Sequence, residues 1–267
     1  MSLLHLLILA LLQGITEFLP ISSSAHLAVL PAFANFPDQG QLMDVSVHVG
    51  TLLAVMIYFR RDVGALACGG LAVVGLKKGC QQQANLFRLL VLASLPVLIV
   101  GGLLAVSGYA DVLRRLDVIA AASIGFGVLL YWADQKGAVT KGFDDLKNRP
   151  AILIGLAQVL SLIPGTSRSG ITMTAGRMLG FGRVDAARFS LLLSIPTILA
   201  AGAWSTFELV KGGAQGELSQ AAFAAFVAFL TALGAIHFLM RWLARANMTI
   251  FAVYRVLFGV AIIIWLL

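Results

Sequence analysis

Residues 158–172, QVLSLIPGTSRSGIT, decide how this chain is built, because they interrupt an apolar region with a polar, helix-breaking segment. Pro164 and Gly165 end one apolar helix, and Arg168 follows between hydroxyl side chains. Within the region 151–181, the apolar stretches on either side of this segment are shorter than the roughly 20 residues that a spanning helix needs. The region therefore predicts a re-entrant helical hairpin, which enters the membrane and turns back.

The composition of the whole chain is that of an integral membrane protein. The 267 residues are 60% hydrophobic and only 12% charged, whereas soluble domains use about 45–50% apolar residues. Apolar segments recur along the whole sequence without a polar block long enough for a soluble domain. We therefore expect a single membrane domain over residues 1–267, with no separate catalytic domain outside the membrane.

Six apolar runs have the length of spanning helices. They cover about 43–59, 86–107, 117–133, 187–207, 219–240 and 249–267. The first 20 residues are apolar as well, but they lack a basic start and contain Glu17, so we expect them to stay in the mature protein. The sequence thus predicts an all-α polytopic membrane protein with six spanning helices and two re-entrant hairpins.

A hairpin is also predicted nearer the N-terminus, because residues 13–26, QGITEFLPISSSAH, repeat the pattern of residues 158–172 inside the apolar region 2–34. In chain order, this is the first hairpin and the one at 151–181 is the second. At an offset of 145 residues, Gln13 aligns with Gln158, Ser22 with Ser167, Ser23 with Arg168, and Ser24 with Ser169. The chain therefore divides into repeat halves of about 1–135 and 148–267. Each half holds one hairpin and three spans, and an odd number of spans inverts the second half relative to the first.

The basic residues give the repeat an orientation. With the N-terminus on one side of the membrane, the loops and helix ends of the opposite side carry fifteen basic residues: Arg60, Arg61, Lys77, Lys78, Arg88, Lys136, Lys141, Lys147, Arg149, Arg177, Arg183, Arg188, Arg241, Arg245 and Arg255. The N-terminal side carries Arg114, Arg115 and Lys211. The positive-inside rule makes the basic side cytoplasmic, so both termini are predicted to face outward. This rim accounts for the sequence pI near 9.9, and no nucleic-acid partner is expected.

Polar chemistry concentrates at the tip of the first hairpin. Gln13 and Glu17 are four residues apart and therefore share one helix face. Pro20 ends that helix, and Ser22, Ser23 and His26 follow within a few residues. A carboxylate at membrane depth costs about 2.5–3.5 kcal/mol and is a functional candidate by default.

The tip of the second hairpin has the character of an anion site. Ser167 and Ser169 supply hydroxyls and a predicted helix N-cap, and Thr172 lies one turn further along the new helix. Backbone N–H groups at a helix start, together with the planar guanidinium of Arg168, suit a phosphate group. The two tips together predict a midplane site with opposite charges from the two halves.

The motifs QGITEFLPISSSAH and PGTSRSGIT resemble the two signature motifs of the bacterial undecaprenyl pyrophosphate phosphatases, the bacitracin-resistance family. The resemblance extends over essentially the whole chain in length and segment order. It implies a membrane hydrolase that removes the terminal phosphate from undecaprenyl pyrophosphate and so recycles the lipid carrier for cell-wall synthesis. It also implies a bacterial cytoplasmic (inner) membrane location, a site open to the periplasmic side, and a divalent cation, Mg²⁺ or Ca²⁺.

The resemblance also implies roles for individual residues. It implies catalytic roles for Glu17, Ser23, His26 and Arg168, substrate binding by Gln13, Ser22, Ser167, Arg168, Ser169 and Thr172, and metal binding by Glu17 with Gln13. Gln13 stands where many members carry glutamate, so the second metal-binding carboxylate is missing. The implied partners are the polyprenyl pyrophosphate substrate and membrane lipid, and a homodimer is left open.

Several alternatives remain at this point. Either Ser23 attacks the phosphate, or His26 activates a water molecule. Inverted repeats with broken helices also describe transporters, so a transporter or flippase of an anionic polyprenyl lipid is the rival function. Asp44 and His48 lie one helical turn apart and could line the same cavity. Cys68 and Cys80 match no metal-ligand spacing, and two cysteines do not make a disulfide framework, so we expect them to be small membrane-packed residues.

Overall fold

The computed structural model describes residues 2–34, 39–107, 110–211 and 218–267, and within these ranges the chain is helical without a β-sheet. The α-helices in these ranges are α1 (Leu3–Thr16), α2 (Ser23–Ala34), α3 (Gln41–Tyr58), α4 (Arg60–Val73), α5 (Gln81–Ser107), α6 (Ala110–Leu113), α7 (Leu116–Lys136), α8 (Asn148–Val159), α9 (Arg168–Met178), α10 (Arg183–Lys211), α11 (Leu218–Leu243) and α12 (Thr249–Leu266). The all-α prediction is confirmed.

The six predicted spans are also confirmed as helices of spanning length. In the described part of the chain, six helices are long and apolar enough to cross a membrane, namely α3, α5, α7, α10, α11 and α12. Each covers one of the predicted apolar runs, and the ends differ by a few residues because helix ends depend on capping and on neighbouring loops. The chain is therefore a multi-pass membrane protein.

The two helix-breaking segments, 13–26 and 158–172, divide their apolar regions into short helices. The first region forms α1 and α2 with a turn between them, and the second forms α8 and α9 with a 3₁₀ turn at Leu160–Leu162. With 14, 12 and 11 residues, α1, α8 and α9 rise about 16–21 Å each, less than the roughly 30 Å of a hydrocarbon core. The re-entrant path of the two hairpins stays a prediction.

Backbone geometry supports the predicted repeat. Ser22, with φ of 75°, and Ser167, with φ of 66°, are the non-glycine residues with positive φ in the described chain, and they are repeat equivalents. The first helix of each hairpin also packs against a spanning helix of the other half: α1 against α11, and α8 against α5. The inverted orientation of the halves, and their boundaries, stay predictions.

The first turn is part of the protein core. Phe18 and Leu19 are buried in the main apolar cluster with Met173 of α9 and Leu192 of α10. The strained turn is thus held by apolar side chains from the other half. This packing places the polar tip of the first hairpin beside the N-terminus of α9.

The prediction for Cys68 and Cys80 was wrong. The two residues form a disulfide that joins α4 to the chain just before α5. Sequence spacing alone did not show that α4 would pack closely along α5, where Gly69 lies against the backbone of Gln83. The segment α4 itself was not among the predicted helices, because it is too short and too polar to be a span.

Two residues of the predicted cytoplasmic rim are buried instead. Arg177 is 2% exposed and donates to the carboxylate of Asp134 and to the carbonyls of Gly137 and Phe181. Arg255 is 1% exposed and belongs to the site described below. Charge counting assigned both to the rim because it registers only the position of a residue along the chain. Burial of Arg177 is compensated by the carboxylate and carbonyl oxygens around it, and Arg255 has two carbonyl acceptors.

Candidate active site

The two hairpin tips are hydrogen-bonded to each other. The backbone N–H of Gly165 donates to Ser22 Oγ over 3.2 Å, and Ser169 Oγ donates to the carbonyl of Leu19 over 3.0 Å. Both serines were predicted to bind substrate, and the structure places their hydroxyls in the junction between the tips. The junction brings the end of α1 and the start of α9 into one cluster of polar side chains.

The first tip exposes one face of α1 to this cluster. Gln13 and Glu17 lie on that face, and the amide nitrogen of Gln13 donates to Glu17 Oε2 over 3.0 Å. After Pro20, the positive φ of Ser22 reverses the chain, and α2 begins at Ser23. The turn therefore points Ser23 back toward the carboxylate at the end of α1.

The second tip is shaped by Gly165 and Ser167. Gly165 has φ of +95°, and a Cβ there would lie 2.5 Å from the carbonyl oxygen of Ile119, so only glycine fits. Ser167 is the N-cap of α9, and its Oγ accepts from the N–H of Gly170 over 3.1 Å. Arg168 is consequently the first residue of α9 and projects from the tip.

The Glu17 carboxylate is the centre of the cluster. Its Oε1 accepts from Arg168 Nη2 over 2.9 Å, and its Oε2 accepts from Ser23 Oγ over 2.6 Å and from Gln13. Glu17 is 8% exposed, and the side chain of Arg168 is 14% exposed. A carboxylate at this depth is compensated because a guanidinium and two neutral donors surround it.

His26 lies in the same hairpin but faces a different group of side chains. Its Nδ1 is 2.7 Å from the carbonyl oxygen of Ser22, and its Nε2 is 2.6 Å from the hydroxyl of Tyr254. The ring also stacks on Phe258, with centroids 4.3 Å apart. Because a carbonyl only accepts, Nδ1 carries the proton, and Nε2 accepts from Tyr254.

Thr172 is engaged within the second half. Its Oγ1 donates to the carbonyl of Arg168 over 2.8 Å and lies 2.7 Å from Ser190 Oγ. Arg168 Nη1 approaches the carbonyl of Ser190 at 3.5 Å. Thr172, which was predicted to bind phosphate, thus lies on the α10 side of Arg168. Ser190 of α10 is part of the same group of contacts and was not predicted.

His48 reaches the cluster from α3. Its Nε2 is 3.9 Å from Glu17 Oε2, and its side chain is 36% exposed. Asp44, one turn earlier, accepts from the amide of Gln39 over 3.0 Å. Of this pair, the structure therefore brings His48 to the carboxylate and places it toward the open side of the cluster.

Arg255 is another residue that sequence reasoning missed. Its Nη2 donates to the carbonyls of Gly165 over 2.8 Å and Thr166 over 2.7 Å, so it holds the second turn from inside. Its Nη1 lies close to the backbone of α9, since a Cβ added to Gly170 would be 2.7 Å from it. The available signal was a lone charge within the apolar run FAVYRVLFG of α12.

The donor set for a divalent cation is small. No cluster of three or more His, Cys, Asp or Glu side chains suited to a metal occurs in the described ranges. Gln13 is fully buried, however, and its Oε1 has no hydrogen-bond partner although its amide lies beside Glu17. One carboxylate and one free amide oxygen fit a hard cation that takes most of its ligands from another source, such as phosphate oxygens.

Comparison with known proteins gives matches along nearly the whole chain. The family described as bacitracin resistance protein BacA matches residues 6–261. The undecaprenyl-diphosphatase of Roseobacter denitrificans is 46% identical over 266 residues, which cover 99% of both chains. The undecaprenyl-diphosphatase of Jannaschia sp. is 47% identical over 264 residues, 99% of this chain and 98% of the relative. That of Hahella chejuensis is 45% identical over 100% of this chain.

Proposed function

The chain belongs to the bacitracin resistance protein family, BacA, and we propose that it uses the cluster around Glu17 to hydrolyse undecaprenyl pyrophosphate. It is an undecaprenyl-diphosphatase, a membrane hydrolase that releases undecaprenyl phosphate and inorganic phosphate and so recycles the lipid carrier for cell-wall synthesis. The observation that carries the assignment of the site is the double contact on one carboxylate. Ser23 approaches one oxygen of Glu17, and Arg168 approaches the other.

Ser23 is the nucleophile in this proposal. Its Oγ attacks the terminal phosphorus while its proton passes to Glu17 Oε2, and the bond to the bridging oxygen breaks to release undecaprenyl phosphate. Water then hydrolyses the phosphoserine and gives inorganic phosphate. The 2.6 Å distance between Ser23 Oγ and Glu17 supports this step, because a nucleophile needs its base within hydrogen-bond reach.

His26 has a different role in this mechanism. Both of its ring nitrogens are engaged, by Ser22 and Tyr254, and the ring is stacked on Phe258. Its bond to the carbonyl of Ser22 braces the residue immediately before the nucleophile. We therefore assign His26 to the positioning of the first tip, in preference to the activation of water.

Arg168 supplies positive charge to the reacting phosphate. Its guanidinium can bind two phosphate oxygens at once, and it stands at the N-terminus of α9, where the helix dipole also favours an anion. Ser167 and Thr172 hold the first turn of α9, so they orient Arg168 and the N–H groups near it. Charge placed in advance where the transition state develops its own is the main source of rate enhancement in phosphoryl transfer.

A divalent cation, Mg²⁺ or Ca²⁺, would be held by Glu17 and by the free amide oxygen of Gln13. When bound, it supplies positive charge that neutralises the pyrophosphate oxygens. With one carboxylate available, the protein by itself would hold such an ion weakly, and substrate phosphate oxygens would have to contribute further ligands. The residues of this chain orient the head group, while the polyprenyl tail stays in lipid.

The orientation of the chain is part of the proposal. The basic-residue count favours outward-facing termini and a site that opens to the periplasmic side of the bacterial cytoplasmic membrane. In a variant with Cys68 and Cys80 replaced by serine, Ser2→Cys should react with an impermeant thiol reagent in intact cells. Val139→Cys should react only after the membrane is opened, and the reverse pattern would overturn the orientation.

The function is tested by phosphate release from undecaprenyl pyrophosphate, with purified protein in detergent. Hydrolysis needs no second compartment, whereas the rival function, transport of a polyprenyl lipid, needs two. Ser23→Ala should abolish turnover, and Ser46→Ala should not, because the Ser46 hydroxyl bonds to the carbonyl of Leu42 within α3. Acid quenching during turnover, followed by peptide mass spectrometry, should find phosphate on Ser23. An active Ser23→Ala variant would exclude this nucleophile.

A further inference from the structure

A cavity lies away from the Glu17 cluster, at the open end of the hairpin formed by α8 and α9. Its volume is about 540 Å³, within the range of about 300–1,000 Å³ that small-molecule sites occupy. It is lined by residues before and at the start of α8 and by Met178 and Leu179 at the end of α9. Because α9 has 11 residues, the cavity is roughly 16 Å along that helix from Arg168.

The rim of this cavity is basic. Lys141, Lys147 and Arg149 line it, together with one carboxylate, that of Asp145. None of the ion pairs among the described residues involves Lys147 or Arg149. Lys141 donates to the carbonyl of Leu179 over 2.7 Å, which fixes its ammonium at the rim and leaves two further donors. The net charge of the lining side chains is therefore positive.

Part of the cavity wall is apolar. Leu153 follows Arg149 by one turn of α8, and Met178, the last residue of α9, lines the same cavity. These two side chains are 39% and 54% exposed, as expected for residues in contact with lipid. Along α8 the lining thus changes from the cationic Arg149 to the apolar Leu153, and a phospholipid has the same order of anionic head group and acyl chain.

We propose that this cavity binds the phosphate-bearing head group of an anionic membrane phospholipid. Lys147 and Arg149 contact the phosphate, Lys141 adds a third cation, and the first methylene groups of an acyl chain lie against Leu153 and Met178. The three cations belong to the side predicted to be cytoplasmic, whose leaflet carries the anionic lipids that basic pockets between membrane helices recognise. The site is separate from the hydrolytic cluster and does not depend on the proposed mechanism.

The test is native mass spectrometry of the full chain in a neutral detergent, with phosphatidylglycerol and phosphatidylcholine of matched acyl chains as probes. The wild-type protein should retain phosphatidylglycerol in preference to phosphatidylcholine. Lys147→Ala/Arg149→Ala should weaken phosphatidylglycerol binding roughly tenfold or more, because each basic residue near an anionic lipid contributes about fivefold. Asp145→Asn should strengthen it, since this change removes the one carboxylate of the rim.

The matched control is Lys77→Ala/Lys78→Ala, which removes the same charge from an exposed turn between α4 and α5. This variant should keep the preference of the wild-type protein, and all variants should release phosphate at the normal rate because none of these residues belongs to the Glu17 cluster. Equal retention of the two lipids by the wild-type protein would overturn the proposal. So would a Lys147→Ala/Arg149→Ala variant that binds as the wild type does, or a control variant that loses binding equally.

Discussion

The two hairpin tips share one backbone design and differ in the charge they carry. Both have a serine with positive φ, Ser22 and Ser167, and in both its hydroxyl lies 3.2 Å from the hydroxyl two residues later. Where the first tip has Glu17, however, the second has Leu162, and where the first has Ser23, the second has Arg168. The repeated backbone is a scaffold, and the substituted positions supply the carboxylate, the hydroxyl and the guanidinium of one composite cluster.

The equivalent glutamines of the two tips, Gln13 and Gln158, also differ in their polar contacts. Gln13 donates to the Glu17 carboxylate, whereas both polar atoms of its equivalent, Gln158, are buried without a hydrogen-bond partner in the described structure. Gln158 is fully buried on a helix face that carries no carboxylate. Among the described residues, only the first tip therefore carries the acidic part of the proposed site, although the backbone design occurs twice.

Making the first tip neutral, as the second is at Leu162, should have the largest effect. Glu17→Gln keeps the shape of the side chain but removes the proposed base for Ser23 and the one carboxylate at the centre of the cluster. We expect phosphate release to fall by about 10²-fold or more. Glu208→Gln, on the exposed face of α10, is the control for loss of a negative charge. Normal turnover by a folded Glu17→Gln protein would remove Glu17 from the mechanism.

Changing the geometry of the second tip without its charge should have the next largest effect. Arg168→Lys retains one positive charge but loses the planar guanidinium that can bind two phosphate oxygens. Turnover should fall by more than tenfold, which corresponds to about 1.4 kcal/mol of transition-state stabilisation. Arg245→Lys, at an exposed position after α11, should leave turnover unchanged. Equal activity of the two variants would return Arg168 to a structural role.

Arg255 braces the second tip. Arg255→Lys shortens the group that donates to the carbonyls of Gly165 and Thr166, so the turn that presents Arg168 should loosen. We expect kcat to fall by about tenfold with little change in KM, because the residue acts through the position of Arg168 and not through the lipid tail. Arg255→Met should lose more activity than Arg255→Lys. A kcat equal to that of the wild type in both folded variants would contradict this role.

The metal prediction uses the glutamine pair. Chelation should abolish hydrolysis, and the apparent affinity for Mg²⁺ should increase in the presence of a non-hydrolysable pyrophosphate analogue. Gln13→Glu places a second carboxylate beside Glu17 and should tighten metal binding several-fold, measured by calorimetry. The same change in the second tip, Gln158→Glu, should not tighten it, because no carboxylate lies beside that position. Activity that persists in excess chelator would exclude the metal.

The smallest effect is expected for Gln158→Leu. Removing two buried polar atoms that lack partners should raise the free energy of unfolding by about 1 kcal/mol, since their desolvation is not compensated. Thermal unfolding in detergent measures this difference. Gln13→Leu should lower turnover instead, because Gln13 bonds to Glu17. A Gln158→Leu protein that is less stable than the wild type would show that the buried amide does have a partner.

Local patterns of the sequence predicted much of the fold. The apolar runs predicted six helices of spanning length, and Pro20 and Pro164 marked the two breaks, because hydrophobic length and proline act on the chain within a few residues. The resemblance between the tips also predicted which residues would meet. Glu17 and Arg168 are 151 residues apart, and the repeat was sufficient to bring them together at one site.

Only the tertiary structure decided which atoms are in contact. Sequence left Ser23 and His26 as equal candidates, and the choice between them depends on the distance from Ser23 Oγ to Glu17 and on the engagement of both His26 nitrogens. The sequence placed Arg255 in the basic cytoplasmic rim and predicted Cys68 to be a small membrane-packed residue, although one is buried against the second tip and the other forms a disulfide. A charge count or a hydropathy run describes a residue by its neighbours along the chain. Hydrogen bonds and burial depend on groups that folding brings from distant segments, and these have no local signature.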